Sequence, residues 1–182
     1  IAVAISFVVA APMSSSTHEV YLKYRDRLLN FQSPKLVSSY EPTDGVRIVI
    51  CGMGRVGTGA YDSLVPQWDR EVLGVEEIAP RVAHHISEQR RVVAADASDP
   101  DFWFRLNLVE LQLIMLGLTN HRENMLVAEL LRSMGYRGEL AAVVRHEDDA
   151  TEMRAAGISA FNLYAEAGTG FAAHATERLT PP

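Results

Sequence analysis

Two hydrophobic periods alternate along most of this chain. From position 46, short runs of β-branched and aliphatic residues, read as strands, are each followed by a stretch whose apolar positions recur three and four apart, read as a helix. Strands are expected at 46–51, 71–75, 91–95, 111–117, 139–144 and 158–164. Helices are expected at 58–65, 79–89, 99–106, 120–134, 147–156 and about 167–179, with Pro80 in a first turn, Asp99 as a cap, and Gly135 and Gly157 just past helix ends. Strands that alternate with helices require right-handed crossovers and a parallel sheet. Six of them make a doubly wound α/β fold with expected order 3-2-1-4-5-6. Its ligand crevice lies outside the carboxyl ends of strands one and four, where the order reverses.

The first 45 residues follow neither period. Residues 1–12 begin with Ile1 and carry no charge. A spanning helix needs about 20 apolar residues, so this run is expected to be the end of a membrane helix that starts upstream. A signal-peptide core and an apolar strand are the alternatives. Lys23, Arg25 and Arg27 fall within reach of the positive-inside rule and would put the remainder on the cytoplasmic side. Residues 13–45 read as a cytoplasmic linker. Ser14, Ser15, Ser16 and Thr17 offer an N-cap, and Tyr21, Tyr24, Leu28 and Phe31 form the apolar face of an amphipathic helix that Ser33-Pro34 ends.

Composition narrows the classes. Of 182 residues, 48% are hydrophobic and 22% charged, which excludes a disordered chain, a collagen-like repeat and a polytopic membrane protein. Lys+Arg number 17 against 23 Asp+Glu, a net charge of −6 that repels phosphate backbones, so nucleic acid is not an expected partner. The single cysteine, Cys51, allows no intrachain disulfide and fits a reducing compartment.

The candidate chemistry is concentrated after the first strand. Gly52-Met53-Gly54-Arg55-Val56-Gly57 is a GxGxxG turn that ends a strand and opens a helix, and a second strand ends in Glu76, 19 residues beyond Gly57. Gly52 permits the tight turn, Gly54 lets backbone approach a phosphate, and Gly57 lets helix pack on strand; the helix N-terminus adds free N–H groups and a positive dipole end. This is the dinucleotide-binding fingerprint of a Rossmann sheet. The Glu76 carboxylate can accept both hydroxyls of a ribose and repels a 2′-phosphate, which favours an unphosphorylated adenosine ribose. The bland alternative is that the glycines only make a tight crossover.

Other positions carry two readings each. Arg55 can sit over phosphates or be a solvated arginine at a helix start. Asp96, after strand three, can reach an adenine edge or begin a turn. Thr119 and Asn120 close strand four across from Gly54, and Asn120 is equally a good N-cap; Asn124 follows one turn later. Arg145 ends strand five and can meet an anionic second ligand or pair with Glu147, Asp148 or Asp149. Glu77 and Arg81 read as exposed. His84-His85 are adjacent on a helix and cannot converge on one metal, and the other histidines lack ligand spacing. Cys51 reads as a small core residue. No catalytic grouping emerges, and too little chain follows strand six for a substrate domain, so sensing is favoured over turnover.

Residues 46 to about 179 resemble the TrkA N-terminal or RCK (regulator of K+ conductance) domain found on potassium channels and Kef-type cation:proton antiporters. The resemblance rests on Ile48 to Gly57, Gly74-Val75-Glu76, Ala94 to Asp99, and Thr119-Asn120 through Asn124. The start of the chain resembles the last helix and linker of such an antiporter. The resemblance implies a nucleotide-binding domain at 46–182 that gates a potassium or sodium:proton antiporter, forms a homodimer, and takes AMP or NAD(H) as regulatory ligand. Carried over, Gly52, Gly54, Arg55 and Gly57 hold phosphate, Glu76 the ribose, and Asp96 with Ala97 the adenine, while Thr119 and Asn120 line the crevice; Met53 and Val56 within the glycine motif, and Arg145, complete the expected binding residues. Glu76 stands where aspartate is usual, and Val56 where an aromatic is frequent. A soluble Trk-type uptake subunit and an NAD-dependent oxidoreductase fragment are the rival readings.

Overall fold

The computed structural model describes residues 44–177. The expected membrane-helix end at 1–12 and the linker helix, with its Tyr21-to-Phe31 stripe, lie outside the described residues. Within them the order of elements is β1 (Ile48–Cys51), α1 (Arg55–Trp68), β2 (Val72–Glu76), α2 (Ala79–Ser87), β3 (Val92–Ala94), α3 (Pro100–Phe104), β4 (Leu113–Leu116), α4 (His121–Ser133), β5 (Glu139–Val144), α5 (Glu147–Ala155), β6 (Ser159–Asn162) and α6 (Leu163–Thr176). All six strands pair in parallel in one sheet of order β3-β2-β1-β4-β5-β6, the order expected.

Burial explains why the central strands read as continuous apolar runs. Helices cover both faces of a parallel sheet, so neither side of β1 or β2 can be polar, and every residue of both strands is buried. Ile48, Ile50, Val72 and Val92 point to one face and pack with Met53, Tyr61 and Val82. Val49, Leu73 and Ile114 sit side by side on the other face, as the register requires. Gly74 interrupts β2 for a packing reason: a Cβ there would meet Met53 Sδ at 2.7 Å and Val92 Cγ2 at 2.9 Å. The β6 edge is different. Its residues are half-buried or exposed, and α6 buries none of its own.

Element ends moved by a few residues. The strands expected at 46–51, 91–95, 111–117 and 158–164 are shorter, because ladder pairing stops where the chain turns into a loop. The first helix runs through Pro66 to Trp68, three residues beyond expectation, and the last begins at Leu163, not near 167. Asn162 accounts for the latter: its side chain accepts from the Ala165 amide and caps α6 directly at the end of β6. Asp99 caps α3 through the Asp101 amide, as expected.

Candidate functional site

The turn after β1 is built by steric necessity. Gly52 adopts φ +88, its amide donates to the Val75 carbonyl at 2.9 Å, and a Cβ on it would meet the Gly117 carbonyl oxygen at 2.8 Å. The ends of β2 and β4 thus close on it from both sides. A Cβ on Gly57 would overlap the Gly52 carbonyl oxygen. Gly54 differs, since a Cβ there would meet no atom within 4 Å. It is the N-cap of α1 and offers no side-chain acceptor, so the first amides of that helix depend on a partner from outside.

Two cavities meet at this turn, and both are lined by Gly54, Gly117, Leu118 and Thr119. The first, about 310 Å³, opens between the ends of β1, β2, β3 and β4. Glu76 is its most buried ionisable side chain, 7% exposed. Its Oε1 accepts from the Ile78 amide at 3.1 Å and lies 3.8 Å from Arg81 Nη1. Asp96 and Ala97 line the far wall, with exposed Ile78 and Leu126 as apolar surfaces. Asp96 Oδ1 accepts from both the amide and the hydroxyl of Ser98 at 2.7 Å, and the Ala97 carbonyl accepts from Trp103 Nε1 at 2.7 Å. Glu76, Glu77, Asp96 and Glu123 face a single cation, Arg81, so this lobe is acidic.

The second cavity, about 680 Å³, is lined by Arg55, Val56, Asn120, His121, Arg145, His146, Asp149 and Tyr164 besides the shared residues. Among the described residues neither Arg55 nor Arg145 makes an ion pair. Of the three carboxylates weighed as partners for Arg145, Glu147 is engaged elsewhere, bonding Arg154 at 2.8 Å and Asn162 at 3.0 Å. Those bonds hold the Glu147 carboxyl below its usual range, the Arg154 bond foremost. His121 Nε2 lies 3.0 Å from Glu152 Oε2, and its Nδ1 is buried without a partner among the described residues. The crevice is therefore polarised, acidic on the β2–β3 side and cationic on the β4–β5 side.

Compared with known families, residues 48–162 match the TrkA-N domain. The chain belongs to the TrkA-N domain family. Three solved structures resemble this TrkA-N domain at the level of fold. One is the NAD(P)-binding domain of an exopolyphosphatase-related protein from Archaeoglobus fulgidus, with TM-score 0.65 and 18% identity, covering 72% of this chain and 98% of that one. Another is the TrkA-N domain of the Escherichia coli inner membrane protein ybaL, with TM-score 0.61 and 18% identity over 69% and 93% of the two chains. The third is the Shewanella denitrificans Kef CTD in AMP-bound form, with TM-score 0.63 and 15% identity over 74% and 82%. No curated protein matched the chain.

The TrkA-N sheet brings together Gly52, Gly54, Glu76, Asp96, Ala97 and Thr119 around one cavity, and Arg55, Val56, Asn120 and Arg145 around its neighbour. Met53 and Gly57, both expected among the binding residues, line neither cavity: Met53 is buried in the core and Gly57 packs against the Gly52 carbonyl. Asn120 serves as N-cap of α4, accepting from the Arg122 amide at 3.0 Å. Cys51 is fully buried, and burial pushes its thiol far above the usual range, leaving no thiolate beside the turn.

Three residues carry roles the sequence did not show. Arg81 is exposed, as read, and its guanidinium also lies 3.8 Å from Glu76 Oε1. Asn124 is buried and exchanges bonds with both backbone groups of Leu118, which fixes the floor shared by the two cavities. His85 turns inward to the Met53 carbonyl. Its position, three residues after buried Val82, was the available signal. Among the described residues no group of three metal-binding side chains occurs, and no helix is long and apolar enough to cross a membrane.

Proposed function

We propose that this chain is the nucleotide-sensing cytosolic domain of a Kef-type potassium or sodium:proton antiporter, with an adenine nucleotide, AMP or NAD(H), as its regulatory ligand. One observation carries the reading. Of two adjoining cavities that share Gly54, the N-cap of α1, one holds a buried carboxylate, Glu76, and the other is lined by Arg55 and Arg145. Such polarity suits a molecule with a neutral, hydroxyl-bearing end and an anionic end. An adenosine ribose would meet Glu76, with adenine between Ile78 and Leu126 near Asp96 and Ala97, and a 5′-phosphate would meet Gly54 and Arg55. The remaining cationic lobe, with Arg145, has room for the second half of a dinucleotide. The AMP-bound Kef CTD and the NAD(P)-binding domain of matching fold lend support.

In this reading residues 1–12 end the last membrane helix, 13–45 link it to the sensor, and 46–182 are the sensor on the cytoplasmic face. Binding would favour one arrangement of a homodimer, by a differential affinity of about 1–3 kcal/mol, and the linker would pass that preference to the transport helices. Exposed Phe161, Tyr164 and Phe171 at the β6 edge offer apolar surface for the second copy. The domain binds and does not turn over its ligand.

Calorimetric titration of AMP, NADH and NADPH into the wild-type chain and Glu76→Ala tests the site. AMP and NADH should bind more tightly than NADPH, and Glu76→Ala should weaken AMP about tenfold, the worth of a charged hydrogen-bond pair. Equal affinity in the variant would remove the ribose role.

A further inference from the structure

We propose that His85 is a positioning residue that aims the Gly54 amide at the ligand's phosphate, an inference that rests on the nucleotide reading of the crevice. His85 is 5% exposed on α2, and its Nε2 lies 2.9 Å from the Met53 carbonyl oxygen inside the glycine turn. Thr58 Oγ1 donates to the same oxygen at 3.1 Å. The Met53 carbonyl and the Gly54 N–H belong to one planar peptide, trans as is every described peptide bond. In such a unit the two groups point in opposite directions. Gripping the carbonyl from the protein side therefore turns the amide the opposite way, at a residue that lines both cavities.

The histidine is itself held in the form this task needs. Arg90 Nη1 lies 3.4 Å from His85 Nδ1. A guanidinium only donates, so Nδ1 accepts and the ring proton sits on Nε2, the nitrogen facing Met53. Arg90 is braced in turn by two bonds to Asp62, at 2.7 and 2.9 Å, and by Glu88. The Asp62 bond pushes Arg90 further toward its charged form and holds the Asp62 carboxyl below its usual range. A line of contacts thus runs from α1 through the end of α2 to the turn. An apolar side chain at 85 would fill the same space without directing the carbonyl, which separates aiming from packing.

Two measurements test this. In titrations of the chain with AMP and with adenosine, His85→Leu should weaken AMP about tenfold and leave adenosine, which has no phosphate, within about twofold. His85→Gln, whose amide reaches the same oxygen, should keep AMP within about threefold, and Thr58→Val should show a smaller loss confined to AMP. Unchanged AMP affinity in folded His85→Leu, or equal losses for both ligands, overturns the proposal. The second readout needs no ligand: imidazole ¹⁵N shifts of the wild-type chain should place the proton on Nε2. A proton on Nδ1 overturns the His85 role even where AMP binds, whereas a wild-type chain that binds neither ligand overturns the nucleotide reading and the aiming role with it.

Discussion

The α-carbon of Gly57 sits so close to the carbonyl oxygen of Gly52 that any side chain at 57 would overlap it. Gly54, between them, has no such neighbour within 4 Å and a φ of −74 that every residue tolerates. The two glycines therefore separate by experiment. Gly57→Ala should destabilise the fold by about 2–3 kcal/mol, the cost of forcing a methyl group into closed packing. Gly54→Ala should shift stability by no more than about 0.5 kcal/mol, because nothing in the protein opposes it. If the space before Gly54 belongs to a phosphate, the same variant should lose AMP. Thermal unfolding beside AMP titration checks both; a Gly54→Ala chain that binds AMP normally removes that residue from the site.

Asn124 sustains the crevice floor without lining it. Its amide accepts from the Leu118 N–H at 3.2 Å and donates to the Leu118 carbonyl at 3.3 Å, 99% of the residue being inaccessible to water. Asn124→Leu keeps most of the volume but strands two backbone groups, and should cost about 2 kcal/mol in urea unfolding. Asn120→Ala should cost about 1 kcal/mol, since it removes only a solvent-exposed cap. Reversal of that order would show that the floor does not depend on Asn124.

Alkaline pH should find a third weak point. Tyr136 is buried, donates to the Glu139 carbonyl at 2.9 Å, and has its phenol pushed up to about 12, chiefly by burial. The folded state holds this proton more tightly than the unfolded chain, whose tyrosine titrates near 10. The stabilisation is therefore complete below pH 10 and is lost as pH rises toward 12. Urea unfolding at pH 9 and 11.5 should show a loss in the wild type that Tyr136→Phe lacks, set against a hydrogen bond worth about 1 kcal/mol removed at both pH values. Parallel slopes in the two chains would dismiss Tyr136 as the source.

How far the sequence reached depends on the range of the forces involved. Strand order, the Gly52 turn and the Asp99 cap were all legible, because each follows from periodicity or from a local backbone requirement. Arg145 shows where legibility stopped. Three carboxylates follow it within four residues, yet the nearest turns away to Arg154 and Asn162, partners seven and fifteen residues further along. His85 shows the same limit from the other side: sequence excluded it as half of a metal pair, but its true contact lies 32 positions back.

The chain alone determined a doubly wound sheet and the place of its crevice, since apolar spacing dictates strands and helices and right-handed crossovers leave one point where their order reverses. Only tertiary structure decided the polarity of that crevice, with Glu76 buried beside Arg81, with Arg55 and Arg145 given no carboxylate among the described residues, and with His85 aimed at Met53. Charge pairing and hydrogen bonding act over a few ångströms between residues far apart in sequence, so their outcome exists only once the chain has closed on itself.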